Sequence, residues 1–154
     1  MWQRIQTLYL LLAITINAIA YSLNLGELTL DNSYYQFTFF GLIDTATGAK
    51  VYSTVLPVLL SSLSIMLSLV IVFMFKKRQL QIKLGQLNLF VQLILLVVVF
   101  FLQDAAATSI GVDKNLVDYG MGILVLALPI ACIYLALKAI KKDEALVRAA
   151  DRIR

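Results

Sequence analysis

Apolar residues along this chain fall into four long runs, and nearly all of the charge is gathered in the polar segments between and after them. The clearest run, Val51 to Phe75, is 25 residues without a charge and stops at Lys76-Lys77-Arg78. At ~1.5 Å per residue a helix of that length exceeds the ~30 Å hydrocarbon layer, and a basic triplet directly after it belongs on the cytoplasmic side. The pattern predicts spans at about 5–24, 54–75, 84–103 and 119–139. The expected fold is an all-α integral membrane protein, a four-transmembrane-helix bundle with a small extracytoplasmic β-hairpin or three-stranded sheet in the first outer loop. It forms one membrane domain over 1–154, with the outer loop at 25–53 and a cytoplasmic tail at 140–154.

The first run could be mistaken for a secretory signal, with Arg4 as a positive start, Leu8 to Ile16 as apolar core and Ala18-Ile19-Ala20 resembling a cleavage site. Its apolar character continues through Tyr21 to Leu25, a full bilayer length, so an uncleaved span is expected.

In the outer loop the helical pattern gives way to alternation. Within Tyr34 to Phe40, the side chains of Tyr35, Phe37 and Phe39 share one face, opposite Gln36 and Thr38. Glu27 to Leu30 alternates too, Asp44 to Gly48 is a turn signal, and Lys50 to Ser53 can return as a partner strand. The aromatic face is read either as a platform for a ligand or partner, or as interfacial aromatics at headgroup depth, the latter preferred.

Polar residues inside the runs are few. Ser61, Ser64 and Ser68 follow i, i+3, i+7 spacing on one face of the second span, a small-residue stripe suited to close helix packing. Asn17 and Gln92 sit at similar depths in the first and third spans, and a hydrogen bond between them is expected, with ligand coordination as the alternative. Gly120 and Gly122 open the fourth span, and Pro129 inside it predicts a kink.

Of the 154 residues 61% are hydrophobic and 14% charged, and the mean hydropathy is +0.89, which points to lipid as solvent. Eleven Lys and Arg fall on the predicted inside and only Lys50 and Lys114 outside, so both termini are expected in the cytoplasm. The net charge of +4 is thereby explained by topology, and nucleic acid is not an expected partner. The chain has no histidine and one cysteine, Cys132, inside an apolar run, so neither a disulfide nor a common metal or catalytic constellation is available. Apart from Lys138 at the inner end of the fourth, no charge lies within a span, whereas ion and proton pathways usually carry one at depth. No enzyme activity, metal or cofactor is expected.

The tail from Lys138 to Arg154 is rich in helix formers, with a favourable Glu144 to Arg148 pair and an apolar stripe of Leu146, Ala150 and Ile153. It suits either anionic headgroups or a cytoplasmic protein partner. The segments Met1 to Ala13 and Ala139 to Arg154 together resemble the two end signatures of a bacterial membrane family of four spans, domain of unknown function 4293, found in Bacteroidota. That resemblance implies an inner-membrane location, supplies no activity, and tips the tail toward docking through Lys142, Asp143, Glu144, Arg148, Asp151 and Arg152. The span plan is also similar to claudin-type proteins, but their paired loop cysteines are absent and fold analogy does not carry function. The functional expectation is therefore a non-enzymatic accessory, assembly or scaffold protein acting through tail and outer loop, with another protein or a second copy of itself as partner; the alternative is lipid or small-molecule binding or transport as an oligomer.

Overall fold

A long apolar run satisfies its backbone groups most simply by closing them within a helix, and in the computed structural model, which describes residues 3–30, 33–75, 77–112 and 118–152, all four runs do so. Helix α1 (Gln3–Ala20) leads to strands β1 (Gly26–Leu30), β2 (Ser33–Thr38), β3 (Gly41–Asp44) and β4 (Lys50–Ser53). Helices α2 (Leu56–Phe73) and α3 (Arg78–Ser109) follow, then a short strand β5 (Asp118–Tyr119) and helix α4 (Met121–Arg152). The helices pack in a cycle, α1 on α2, α2 on α3, α3 on α4 and α4 on α1. Stretches of α2, α3 and α4 are long and apolar enough to cross a membrane; the apolar part of α1, Ile5–Ala20, is shorter.

The all-α expectation is overturned. The strands form one five-stranded antiparallel sheet in the order β4-β3-β2-β1-β5, larger than the expected hairpin or three strands. Two elements account for the difference. β3 lies in what reads as a connector, because the chain turns at Phe39-Phe40 and pairs Thr38 with Gly41. β5 comes from the other outer segment and pairs Glu27 with Asp118; two residues carry no periodicity that sequence reading can detect.

The turns show why these residues suit the sheet. Gly41 has a φ of 124°, and an added Cβ would lie 1.9 Å from the carbonyl oxygen of Tyr52, so both conformation and space require glycine there. At the β3–β4 turn the Asp44 carboxylate accepts from the Ala46 amide at 2.9 Å and the Thr47 hydroxyl at 2.7 Å. The Thr47 hydroxyl first, and the Ala46 amide second, hold the Asp44 carboxyl below its ordinary value.

The helix limits differ from the expected spans. α3 runs well past 84–103 at both ends, since Arg78, Gln79, Gln81 and Gln103 are compatible with a helix although hydropathy does not mark them. The expected turn at 76–83 shrinks accordingly to the few residues between Phe73 and Arg78. α1 stops at Ala20 rather than 24. α4 continues through Pro129 into the tail without interruption.

The main core joins sheet to helices. Leu25, Leu28, Phe37, Phe39 and Leu42 pack with Leu95, Val99, Ala106, Ala107, Ile123 and Leu126. Tyr21 stacks on Phe39 at 4.9 Å between ring centroids and donates its hydroxyl to the Val58 carbonyl at 3.2 Å, tying α1 to α2 below the sheet. At Gly122 a Cβ would stand 2.1 Å from the Asn24 carbonyl oxygen; the start of α4 therefore lies directly against the segment before β1.

Candidate functional site

Two polar regions stand out in this apolar frame: a seam buried between the helices, and a cluster at the end where α2 passes into α3.

The seam arises where two periodicities meet. The serine stripe of α2 faces Asn88 and Gln92, four residues apart on α3, and Asn17 of α1 closes the third side; Asn17, Ser61, Ser64, Ser68, Asn88 and Gln92 are all buried. Asn88 Nδ2 donates to Ser68 Oγ at 2.7 Å, and Ser64 Oγ stands 2.8 Å from Asn88 Oδ1 and 2.9 Å from Gln92 Oε1. Gln92 Nε2 donates to Asn17 Oδ1 at 3.1 Å, and Asn17 Nδ2 to Gln92 Oε1 at 3.4 Å. The Asn17–Gln92 pair expected from depth is thus present, and it is one link in a longer chain. Gln92 Nε2 also lies 3.4 Å from the Leu126 carbonyl, next to Val125, whose carbonyl Pro129 leaves without its helical amide partner. A hydroxyl has one proton, so Ser64 serves Asn88 or Gln92 but not both at once. Ser61 Oγ is buried with no partner among the described residues; it contributes small size, not a bond. Sequence reading places Asn88 only near the inner end of the third span and gives it no partner, although its four-residue offset from Gln92 was a usable signal.

Nothing in the seam titrates near neutral pH. It offers amides and hydroxyls that already bond one another, an arrangement suited to fixing helix register.

The second cluster uses Asp143 in a way the sequence does not announce. Expected on a contact surface, Asp143 is only 8% exposed. Gln6 Nε2 of α1 donates to its Oδ2 at 2.6 Å, and Arg78 Nη1 of α3 donates to its backbone oxygen at 3.0 Å. Gln81 Nε2 donates to the Ile71 carbonyl at 2.8 Å, satisfying a last-turn acceptor of α2. A cavity of about 20 Å³, room for one water, lies among Gln6, Arg78, Gln81 and Asp143.

Two open concavities border this cluster. One is a groove of about 650 Å³ with Leu8, Leu11, Leu12 and Thr15 of α1 on one wall and Val72 and Phe75 at the end of α2 on the other. The other is a cleft of about 600 Å³ bounded by Lys77, Arg78, Gln79 and Lys83 on one side and Glu144 and Val147 on the other. Glu144 accepts from Arg148 Nε at 3.0 Å, as its helical spacing suggests.

Of the remaining tail candidates, Lys142 and Arg148 are exposed. Asp151 and Arg152 belong to the last turn of α4, and their side chains lie outside the described residues, as do Ala150 and Ile153 of the apolar stripe. Among the outer-loop aromatics, Phe37 and Phe39 are fully buried and Tyr35 is half-buried. The first two are therefore core, neither a platform nor interfacial anchors. Tyr119 packs on Phe100 and donates to Asp104 Oδ1 at 2.9 Å; that bond, then burial, holds its phenol above the ordinary value. Gln103 Nε2 donates to the Asp118 carbonyl at 3.3 Å, so α3 carries β5 directly.

A family model described as Domain of unknown function (DUF4293) matches residues 2–153, and the chain belongs to that family. No curated protein and no solved structure matches it.

Proposed function

We propose that this member of the DUF4293 family is a non-enzymatic accessory, assembly or scaffold protein of the bacterial inner membrane, with four spans, both termini in the cytoplasm, and a tail that docks a protein partner. The observation carrying this reading is the unbroken course of α4. It passes the α2–α3 turn and presents Leu146 at 56% and Val147 at 42% exposure among exposed charges. A purely lipid-seeking segment has no use for Glu144 and Asp151 beside its cations. The charge asymmetry supports the orientation, and at ~1.5 Å per residue the 18 residues of α1 approach a bilayer thickness. The self-bonded seam supports a structural core over a conduction path.

The burial of Asp143 dictates the test. A chain ending at Ala145 keeps the Gln6 and Arg78 bonds and removes only the overhanging turns. Full-length and shortened protein are recovered from native membranes in mild detergent, and their companions identified by mass spectrometry. A stoichiometric companion that vanishes with the tail is expected; one retained by the shortened chain would sink the docking reading. The second reading, a lipid- or small-molecule-binding oligomer, is favoured by the α1–α2 groove and would be selected by recovery of the protein with itself and bound lipid.

A further inference from the structure

We infer that the end of the molecule around Arg78 holds one anionic phospholipid, its phosphate in the basic cleft and an acyl chain in the groove between α1 and α2. The inference does not depend on the tail reading, since its cations and its apolar walls lie on α1, α2 and the start of α3, and the tail only borders the cleft through Glu144 and Val147.

The three concavities at this end adjoin one another. The small polar cavity shares Thr7, Val72 and Phe75 with the apolar groove and Arg78 with the cleft. A ligand lying across their mouths meets apolar side chains first, then amide and guanidinium donors, then a concentration of positive charge. That is the order of parts in an amphiphile with an anionic head.

The charge has somewhere to act. Lys77 and Lys83 are exposed, Arg78 is half-buried, and none of the three makes an ion pair among the described residues. Arg78 spends one N–H on the Asp143 backbone carbonyl, a neutral acceptor, and keeps its charge and further donors for a phosphate. Glu144, the carboxylate bordering the cleft, is engaged by Arg148 at 3.0 Å. α3 also begins here with no side chain capping it and no acidic residue in its first turn, so its dipole adds to the attraction rather than opposing it.

The groove fits the other half. Leu8, Leu11 and Leu12 are 56%, 48% and 44% exposed and form one wall along α1. A volume of about 650 Å³ lies within the ~300–1,000 Å³ of small-molecule sites. The bilayer is the source of such a ligand, because the groove belongs to the apolar stretch of a helix and its polar end coincides with the cations.

Full-length protein, delipidated in mild detergent, is titrated with phosphatidylglycerol and with phosphatidylcholine of the same chains, and bound lipid per chain is read by native mass spectrometry. One phosphatidylglycerol per chain is expected, bound about tenfold more tightly than phosphatidylcholine. Lys77→Gln with Lys83→Gln should weaken phosphatidylglycerol roughly thirtyfold, two cations' worth at about tenfold per 1.4 kcal/mol. Lys138→Gln with Lys141→Gln, removing equal charge from exposed positions outside the cleft, should change nothing. Leu11→Trp, filling the groove, should weaken both lipids and leave the headgroup preference intact. Equal affinity for the two lipids, equal losses in the two double variants, or displacement of the lipid by inorganic phosphate at comparable concentration would each overturn the assignment.

Discussion

The buried seam makes a quantitative prediction because its two amides are not equivalently placed. Asn17 has Gln92 as its partner for both polar atoms, whereas Gln92 also reaches Ser64 and the Leu126 carbonyl. Asn17→Leu, which matches the native side chain atom for atom in shape, strips Gln92 of one partner and leaves it others. The expected cost is about 1 kcal/mol, within the measured span for hydrogen bonds in membranes. Gln92→Met leaves both polar atoms of a fully buried Asn17 without a partner, and should cost about 2.5 kcal/mol. In the double variant that orphaned amide is gone, while Ser64 and Ser68 still bond Asn88; about 1.5 kcal/mol is expected, less than for Gln92→Met alone. The two single losses therefore overshoot the double by about 2 kcal/mol. The assay is reversible unfolding in mixed micelles titrated with dodecyl sulfate, followed by far-ultraviolet circular dichroism. Additivity to within about 0.5 kcal/mol, or a double variant weaker than Gln92→Met, would refute the reading of the seam as a directly bonded chain.

Two further outcomes follow from the ends of the molecule. Gln6→Met deprives the buried Asp143 carboxylate of its 2.6 Å donor, and should cost about 2 kcal/mol in the same assay, against under about 1 kcal/mol for Asp143→Asn, which keeps an acceptor; a Gln6→Met variant as stable as wild type would mean that the bond contributes nothing. At the sheet, the phenol of Tyr119 is held above its ordinary value of 10.0 by its bond to Asp104. A raised value means that the protonated phenol stabilises the fold, fully so below the ordinary value, and that this is lost as pH rises through the raised one. The stability difference between wild type and Tyr119→Phe should thus vanish at high pH; a difference independent of pH would refute the assignment.

Local signals and tertiary outcomes part company at identifiable residues. Alternation through Tyr34 to Thr38 and the turn chemistry of Asp44 to Gly48 are local, and both are legible as strand and turn. β5 is not, because Asp118 and Tyr119 become a strand only by meeting an edge that Gly26 and Glu27 offer from far upstream. The same holds for Asp143. A carboxylate among lysines in a charged tail reads as solvated, and its burial is imposed by Gln6 and Arg78 on two other helices. Hydropathy marks the apolar centre of α3 and is silent about its polar ends. Asn88 consequently reads as lying near an end, yet it stands ten residues into a helix that begins at Arg78. Depth matching did suffice for Asn17 and Gln92, whose neighbours along the chain are apolar on both sides.

The position of β1, interior to the sheet and next to its edge strand β5, bears on the order in which the molecule is assembled. One neighbour, β2, is adjacent in the chain, and the other, β5, arrives only about ninety residues later, after α3 and immediately before α4. During synthesis the first four strands can pair as soon as the segment before α2 has been made, but the free edge of β1 stays open until the second helical hairpin is delivered. Closure of that edge by β5 brings the Asp118 carbonyl to Gln103 and the start of α4 against Asn24. On the proposed four-span arrangement, that last ladder forms only when both hairpins have crossed in the same sense, and a molecule with an inverted second hairpin would keep this edge of β1 unpaired.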